Sequence, residues 1–411
     1  MNDTVPVCRS CGKTGLTMIL SLGQMPLANA LLTARQLDQP EQLYPLDLVL
    51  CPHCALVQIT ETVQPEKLFR EYLYFSSFSD TVLHHSQELV RRLISERCLD
   101  SNSLVVEVAS NDGYLLQYYK RALIPVLGIE PAVNVARVAQ EERGIDTLSE
   151  FFDVELARWL KDQGKDADVV HAHNVLAHVA ELKGFVQGIQ LLLKDDGVAV
   201  IEVPYVKDMM DRMEFDTIYH EHLCYFSLTS LDKLFKKHGL ILADVERIPI
   251  HGGSLRLFLT HDGGRKQGKR VQDLLQKEAL WGVDRIEFYL GFRERVEKIK
   301  MSLRSLLRFF KRSDKRIAAY GAAAKGTVLL NYCEIGREYL DFVVDRNPYK
   351  QGRYMPGVHL PIYSPKKLIE EMPDFVLLLT WNFVVEILEQ QAEYRRRGGR
   401  FIIPIPKVEV L

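Results

Sequence analysis

The sequence predicts an α/β protein in which a cysteine-rich N-terminal segment precedes two units of alternating strands and helices. Two Cys-x-x-Cys pairs lie within residues 1–70, and strand-like apolar runs alternate with helical stretches over 71–265. The same alternation returns over 313–411, after a charged, helix-periodic linker at 266–312. Alternation of this kind is typical of a parallel sheet with helices on both faces.

The composition limits the possible functions. At roughly 150 residues per domain, 411 residues predict two or three domains. The formal net charge of −2 provides no basic excess for binding nucleic acid or an anionic membrane. No apolar run approaches the roughly 20 residues needed to cross a bilayer, and the N-terminus lacks a signal-peptide core. We expect a cytoplasmic protein that is a monomer or a weak homo-oligomer.

The N-terminal segment carries a predicted metal site. Its four thiols are those of Cys8, Cys11, Cys51 and Cys54. Two Cys-x-x-Cys pairs complete the tetrahedral coordination of one zinc ion and leave no open position, so the site is structural. Two unrelated cysteine pairs remain an alternative, and His53 is a competing ligand. Three further cysteines are scattered, which fits a reducing compartment better than a disulfide framework.

The first α/β unit carries a predicted nucleoside site. An apolar run over 104–108 leads into a turn with Gly113, where the backbone can approach a ligand closely. The next run, 126–129, ends at Glu130, which is 23 residues after Glu107. An acid at that distance is placed to bind ribose hydroxyls. Only one glycine of a G-x-G-x-x-G pattern is present, so an ordinary strand–helix turn is the alternative.

Several histidines follow in the same unit. The third and fourth strand-like runs cover 168–171 and 198–203. The third ends at His171, and His173 and His178 come after it, where polar groups face the ligand crevice of an open α/β sheet. For His171 and His173, plain packing or a metal pair is the alternative. The run Tyr219-His-Glu-His222 places phenol, carboxylate and imidazole within four residues, which suggests proton abstraction beside a bound nucleoside cofactor. A polar loop, or a metal pair of His220 and His222, is the alternative there.

The last two segments are a helical linker and a second strand–turn–helix unit. The stretch 266–312 predicts a long amphipathic helix or a helix pair. In the last unit, a strand over 316–320 leads into Gly321-Ala-Ala-Ala-Lys325-Gly326, and the next strand, 340–344, ends at Asp345. Lys325 or the helix N-terminus there could meet a diphosphate, with residues 380–382 in the same crevice. Further strand-like runs at 375–379 and 401–403 complete the unit. The alternative is that this second α/β unit serves only for packing and binds no ligand.

These motifs, in this order, resemble the nucleotide-sugar C-methyltransferases that act on 4-keto-deoxyhexoses. The resemblance covers essentially the whole chain. Besides the motifs above, it rests on Pro26-Leu-Ala-Asn29, Tyr72-Leu-Tyr74-Phe-Ser-Ser77, Asn174-Val-Leu-Ala-His178 and His251-Gly-Gly-Ser254-Leu-Arg256.

The resemblance implies an N-terminal zinc-binding domain, a central Rossmann-like S-adenosylmethionine domain and a C-terminal Rossmann-like domain that binds a nucleotide sugar. The implied base is His222. Its implied helpers are Tyr219, Glu221, His178 and a tyrosine, Tyr74 rather than Tyr72. The expected cofactor residues are Glu107, Ala109, Asn111, Asp112, Gly113, Glu130, Pro131 and Asn174. The expected substrate residues are Tyr72, Ser254, Tyr320, Lys325, Asp345 and Asn382.

The chemistry of carbon methylation explains these residue types. A sugar C–H becomes acidic only beside a ketone, so the enzyme needs a base and donors for the developing oxyanion. We expect methylation at C3 of a dTDP-linked 4-keto-6-deoxyhexose. A nicotinamide-dependent nucleotide-sugar oxidoreductase and a non-catalytic zinc module are the alternatives.

Overall fold

A computed structural model describes residues 5–70, 74–264 and 266–411, apart from the side chain of His251. The strands are β1 Thr17–Pro26, β2 Leu43–Leu50, β3 Val57–Ile59, β4 Val105–Val108, β5 Val126–Ile129, β6 Thr147–Leu148, β7 Ala167–His173, β8 Leu193–Pro204, β9 Cys224–Tyr225, β10 Leu240–Ile248, β11 Ser254–His261, β12 Ile317–Tyr320, β13 Val343–Val344, β14 Ile362–Tyr363, β15 Phe375–Leu378, β16 Arg400–Ile403 and β17 Glu409–Val410.

The helices separate these strands. They are α1 Pro65–Phe69, α2 Asp80–Arg97, α3 Leu116–Arg121, α4 Val133–Arg143, α5 Val154–Asp162, α6 Leu182–Leu192, α7 Val206–Asp211, α8 Leu228–Lys236, α9 Lys269–Trp281, α10 Phe292–Arg312, α11 Ala324–Tyr332, α12 Lys366–Glu371, α13 Val384–Gln390 and α14 Ala392–Arg396. Short 3₁₀ helices lie at Ala34–Gln36, Ser76–Phe78, Leu176–His178, Phe215–Thr217, Ile250–Gly252, Ile286–Tyr289 and Trp381–Phe383.

The N-terminal sheet has the order β1-β2-β3-β9, and all of its pairs are antiparallel. On β2, Leu46, Leu48 and Leu50 alternate into the core. The fourth strand, β9, comes from the middle of the chain, directly after the Tyr219-His-Glu-His222 run. The N-terminal unit therefore shares a sheet with the segment that carries the predicted base.

The central sheet has the order β10-β11-β8-β7-β4-β5-β6. Strands β8, β7, β4, β5 and β6 pair in parallel, as the alternation of strands and helices predicts. Strands β10 and β11 pair antiparallel with each other, and β11 with β8, so the sheet is mixed. The sequence does not predict this hairpin. Its short connection, 249–253, is too short for the crossover that parallel strands need.

The stretch predicted as a linker contains two helices, α9 and α10, with a 3₁₀ helix between them. The buried positions of α10 follow one face and are Phe292, Val296, Ile299, Leu303 and Leu307. On α9, the buried carboxylate of Glu278 accepts hydrogen bonds from the backbone N–H groups of Leu228 and Thr229 in the first turn of α8. The helices are therefore packed parts of the molecule.

The C-terminal sheet has the order β14-β13-β12-β15-β16-β17 and is parallel except for β17, which pairs antiparallel with β16. The carboxyl ends of its strands and of the central parallel strands open onto one cavity. Within the described part of the chain, no helix has the length and apolarity needed to cross a membrane. The cytoplasmic localisation and the domain boundaries stay predictions.

Candidate active site

One cavity of about 650 Å³ lies where the three units meet. Asn29 reaches it from the N-terminal unit, Asn111 and His222 from the central unit, and Lys325 and Asn382 from the C-terminal unit. A cavity of this size accommodates ligands of the size of a nucleotide. Most of the residues predicted from the sequence to form the site line this cavity.

The predicted base, His222, is held by both of its ring nitrogens. Its Nδ1–H donates to the backbone carbonyl of Thr217, at 2.9 Å. The hydroxyl of Tyr219 lies 2.8 Å from its Nε2. Because a carbonyl only accepts, the proton of the neutral ring belongs on Nδ1, and Nε2 is the basic nitrogen. The geometry therefore leaves His222 with an accepting nitrogen, held by the phenol of Tyr219.

The neighbouring polar groups are neutral near pH 7. His178 lies with its ring centroid 4.7 Å from that of His222, and burial lowers its pKa to about 4. Burial also raises the pKa of Tyr219 well above its ordinary value. Tyr74 also lines the cavity, and desolvation at its hydroxyl raises its pKa to about 12 although the side chain as a whole is 39% exposed. These groups can donate hydrogen bonds without carrying charge.

Glu221 points away from the cavity. Its two carboxylate oxygens accept hydrogen bonds from Nδ2 of Asn29, at 2.7 and 2.9 Å, and it is not among the lining residues. Tyr72, the other predicted tyrosine, lies outside the described residues. Of the predicted catalytic group, His222, Tyr219, His178 and Tyr74 therefore share the cavity, whereas Glu221 supports it from behind.

The predicted cofactor edge is formed at the carboxyl ends of β4, β5 and β7. Ala109, Asn111, Glu130, Pro131 and Asn174 line the cavity there. Three of them have left-handed backbone conformations, with φ of 56° at Ala109, 51° at Asn111 and 54° at Asn174. Residues other than glycine rarely adopt these conformations. Where they do, the positions are often found at functional sites. This edge therefore has the strained turns expected of a ligand cradle.

Glu130 is the acidic group of this edge. Its carboxylate accepts the backbone N–H groups of Asn111, at 3.0 Å, and Ala132, at 2.9 Å. Burial raises its pKa to about 7 despite these hydrogen bonds. Its position beside the cavity suits a carboxylate that accepts hydrogen bonds from ribose hydroxyls. The nearby Oδ1 of Asn174 has no hydrogen-bond partner among the described residues.

The other three predicted cofactor residues lie behind the turn. Glu107 is fully buried within β4, and burial raises its pKa well above the ordinary value. The carboxylate of Asp112 accepts the hydroxyl of Ser77 and faces Arg143 at 3.4 Å. A Cβ at Gly113 would lie 2.5 Å from Cδ1 of Ile145, so the turn has no room for a side chain. These residues do not line the cavity, and they shape the turn that does.

Several lining residues are absent from the sequence prediction. Phe151, Phe152 and Asp153 follow β6 and line the cavity near Glu130. Residues that follow a strand of the alternation are expected near the ligand crevice. Here the strand is β6, which has only two residues and therefore leaves no recognisable apolar run in the sequence. Asn29 lies in a motif on which the resemblance rests, but the sequence around it gives no sign that its side chain reaches the cavity. Thr217 acts through its backbone carbonyl, which leaves no signature in the sequence.

The C-terminal unit presents a cation to the cavity. The Nζ of Lys325, in the first turn of α11, is buried and has no hydrogen-bond partner among the described residues. It lies 4.6 Å from the centroid of the Trp381 ring, and burial lowers its pKa. Tyr320, Asp345, Thr380 and Asn382 line the same wall. The carboxylates of Asp216 and Glu214 are near enough to favour its charged form. An ammonium at a helix N-terminus that makes no hydrogen bond is suited to an anionic group.

Of four further residues considered from the sequence, His173 lines the cavity, whereas Ser254, His171 and His220 do not. Ser254 is buried at the start of β11 and donates to the carbonyl of Ile250, so it lies behind a lining residue and does not face the cavity. His171 and His173 share a hydrogen bond of 2.9 Å, so they do not present a free pair to a metal. The ring of His220 lies against the carbonyl of Pro45, on the N-terminal unit.

The four N-terminal cysteines come together as the spacing predicts. All four Sγ atoms lie within 4.8 Å of one another, with 3.4 Å between Cys8 and Cys54 and 3.6 Å between Cys11 and Cys51. A zinc ion with bonds of about 2.3 Å to four sulfurs requires separations of about 3.8 Å between them. The residues fit a closed zinc site, and among the described residues no other group of three or more such ligands converges.

Comparison with known proteins decides the family. The chain is 35% identical over 405 residues to the C-methyltransferase NovU of Streptomyces niveus, covering 98% of this chain and 96% of that protein. The chain belongs to the C-methyltransferase family. Family models also match a zinc binding domain at residues 8–69, a methyltransferase domain at 82–244 and a C-methyltransferase C-terminal domain at 249–406.

The chain is thus an S-adenosylmethionine-dependent C-methyltransferase with a zinc-binding N-terminal domain. The matches favour it over the nicotinamide-dependent oxidoreductase and over a zinc module without catalytic function. Among solved structures, the magnesium protoporphyrin IX methyltransferase of Synechocystis PCC 6803 with bound SAM is 15% identical, with a TM-score of 0.33, over 44% of this chain and 82% of that one. The YcgJ protein of Bacillus subtilis is 13% identical, with a TM-score of 0.34, over 44% of this C-methyltransferase and all of that chain.

Proposed function

We propose that this C-methyltransferase methylates C3 of a dTDP-linked 4-keto-6-deoxyhexose after His222 removes the C3 proton. One observation carries the proposal. A histidine with a fixed tautomer and an accepting Nε2 lines the same cavity as the cofactor edge around Glu130 and the ammonium of Lys325. The resemblance of the motifs supplies the keto sugar as the substrate class.

The base acts on carbon because a neighbouring ketone makes the C–H acidic. The Nε2 of His222 accepts the C3 proton, and the electron pair passes into an enediolate with its negative charge on the C4 oxygen. S-adenosylmethionine, when bound, supplies an electrophilic methyl group to C3 and leaves as S-adenosylhomocysteine. The proton on His222 then passes to solvent, which balances the reaction.

The C4 oxyanion needs donors that are in place before the reaction. The phenols of Tyr219 and Tyr74 and the neutral ring of His178 line the cavity around His222. Because their pKa values keep them uncharged near pH 7, they can donate to the oxygen as its charge grows. Tyr219 donates to His222 in the structure, so it must exchange that partner or share its proton during the reaction.

The distal part of the substrate is assigned to the C-terminal unit. A nucleoside diphosphate brings negative charge that the buried ammonium of Lys325 and the N-terminus of α11 can meet. Asn382 and Tyr320 lie on the same wall and can contact the nucleoside or the sugar. Binding at one end of the cavity would hold the sugar ring against His222 and the cofactor edge.

Product analysis tests the proposal. The purified protein is mixed with dTDP-4-keto-6-deoxyglucose and S-adenosylmethionine carrying a ¹³C-methyl group. We expect the ¹³C-methyl signal to show one-bond coupling to a sugar carbon and long-range coupling across C3. A label on oxygen or nitrogen, or no transferred label, contradicts the proposal.

A further inference from the structure

Asp216 and Trp381 join the central and C-terminal units beside the cavity. The indole Nε1–H of Trp381 donates to Oδ2 of Asp216 at 2.7 Å, and both side chains are buried. The two residues are 165 positions apart in the chain. Neither lines the cavity itself, but the Trp381 ring packs against Nζ of Lys325 in the anion-binding wall. The carboxylate of Asp216 also lies near enough to that ammonium to stabilise its charge.

On the central side, this hydrogen bond ends in the turn that orients His222. Asp216 is the middle residue of the 3₁₀ helix Phe215–Thr217, and the carbonyl of Thr217 accepts Nδ1–H of His222. The hydroxyl of Tyr225 donates to the same carbonyl, at 3.3 Å. This carbonyl therefore favours the proton of the neutral His222 ring on Nδ1.

On the C-terminal side, the same hydrogen bond begins in a segment that lines the cavity. Trp381 stands between Thr380 and Asn382, both of which face the cavity, and its ring lies 4.6 Å from Nζ of Lys325. Close by, the ring of Phe215 packs 5.3 Å from that of Tyr332 on α11. A ligand that contacts Thr380 or Asn382 therefore contacts the neighbours of Trp381, whose indole is hydrogen-bonded to the 3₁₀ helix Phe215–Thr217.

We propose that Trp381 and Asp216 are positioning residues that fix the Thr217 carbonyl and so keep His222 in the Nδ1–H tautomer, with Nε2 as the acceptor. The inference rests on the proposed role of His222 as the base. It adds that the C-terminal unit helps to orient the base, in addition to binding substrate. If the hydrogen bond between Trp381 and Asp216 only held the two units together, removing it would not change the tautomer of His222.

The tautomer can be read without substrate or cofactor. Protein labelled with ¹⁵N-histidine is compared by NMR with His222→Gln, which identifies the His222 signals among the 12 histidines. We expect Nδ1–H in the wild type, and a shift toward the Nε2–H or a mixed population in Trp381→Phe and Asp216→Ala. Asp216→Asn keeps an oxygen acceptor for the indole and should keep the wild-type tautomer.

Kinetics supply the second reading. Trp381→Phe should lower kcat for methyl transfer by about 10- to 100-fold, since small displacements of a catalytic group have effects of that size. Its affinity for S-adenosylmethionine should be unchanged. The double variant Trp381→Phe/Asp216→Ala should lose no more activity than the weaker single variant, because both changes remove one interaction.

Tyr394→Phe is the matched control. Its hydroxyl is buried in the same unit and donates to the carbonyl of Pro373 at 2.6 Å, far in sequence from the turn. It should lower thermal stability but leave the His222 tautomer and kcat unchanged. A wild-type tautomer in Trp381→Phe overturns the inference whatever the reaction proves to be. A product without a new C–C bond, by contrast, removes the proposed function and leaves the tautomer result to stand.

Discussion

His222 and Glu221 are neighbours in sequence and have different positions in the site. His222 lines the cavity, whereas Glu221 does not, and both oxygens of its carboxylate accept Nδ2–H of Asn29. The local backbone sends successive side chains in different directions, so adjacency in a motif does not place two groups on one substrate. The tautomer of His222 follows from its hydrogen bond to the backbone carbonyl of Thr217.

At the same scale, Glu130 predicts a pH dependence of cofactor binding. Burial raises its pKa to about 7, so the carboxyl is mostly ionised at pH 8 and mostly protonated at pH 6. The ionised form accepts hydrogen bonds from ribose hydroxyls, so bound cofactor favours it and affinity falls as pH falls through 7. We expect about tenfold weaker binding of S-adenosylmethionine at pH 6 than at pH 8, measured by calorimetry.

Glu130→Gln isolates this group from its neighbour Asp112, whose pKa burial also raises. The variant should bind S-adenosylmethionine more weakly at pH 8 and show little change between pH 6 and pH 8. An equally steep pH dependence in the variant would assign the titration to another group.

At the scale of elements, residues 28 and 29 connect all three units. Asn29 donates to Glu221 of the central unit, and the carbonyl of Ala28 accepts the hydroxyl of Thr327 on α11, at 2.8 Å. Directly after His222, β9 pairs with β3 of the N-terminal sheet. The zinc-binding unit therefore braces the segment that carries the base from two sides.

Asn29→Asp tests the first brace. It would put a second carboxylate against that of Glu221, where the amide nitrogen now lies 2.7 Å from Oε1. Like charges at this distance repel, so the segment around His222 should shift and kcat should fall by at least about tenfold. Steady-state methyl transfer and calorimetry with S-adenosylmethionine give the two measurements. Unchanged kcat would show that Glu221 and Asn29 do not influence the base.

Cys51→Ser tests the second brace. Loss of one thiolate opens the four-sulfur site, so we expect less bound zinc by elemental analysis and a lower melting temperature. Because β3 pairs with β9, methyl transfer at a temperature where the variant stays folded should fall as well. Cys98→Ser is the control, since that thiol is exposed and outside the cluster. If Cys51→Ser loses zinc but keeps full methyl-transfer activity, the N-terminal unit contributes to stability alone.

Sequence patterns predict some of these elements and miss others for physical reasons. Strand β5 matches its prediction at both ends because it is a short apolar run between Pro125 and Glu130. The two-residue strand β9 has no pattern of its own and exists through its pairing with β3. The cavity-facing role of Asn29 depends on packing against a residue 192 positions away, which no local period encodes.

At the scale of the whole molecule, the cavity divides into two ends. The proposed cofactor edge belongs to the central sheet, and the buried ammonium of Lys325 belongs to the C-terminal unit. The sequence predicts both ends, since each follows a strand–turn–helix unit. It does not predict their distance, because that depends on how the units pack.

This division predicts separable binding defects. Lys325→Gln removes the cation, so the dissociation constant for dTDP should rise by about tenfold, a value typical of a charged hydrogen bond. Binding of S-adenosylmethionine should not change. Glu130→Gln should show the reverse pattern, and calorimetry with each ligand alone measures both. A single variant that weakens both ligands equally would argue against two separate ends.

The central claim is that the imidazole of His222 takes a proton from carbon. Solvent exchange tests it without methyl transfer: the protein, S-adenosylhomocysteine and dTDP-4-keto-6-deoxyglucose are mixed in D₂O, and the C3–H signal is followed by proton NMR against a sample without protein. The account predicts that the wild type replaces this hydrogen with deuterium and that His222→Gln, with its dTDP binding intact, does so at least about a hundredfold more slowly. Exchange at the wild-type rate in His222→Gln would contradict it.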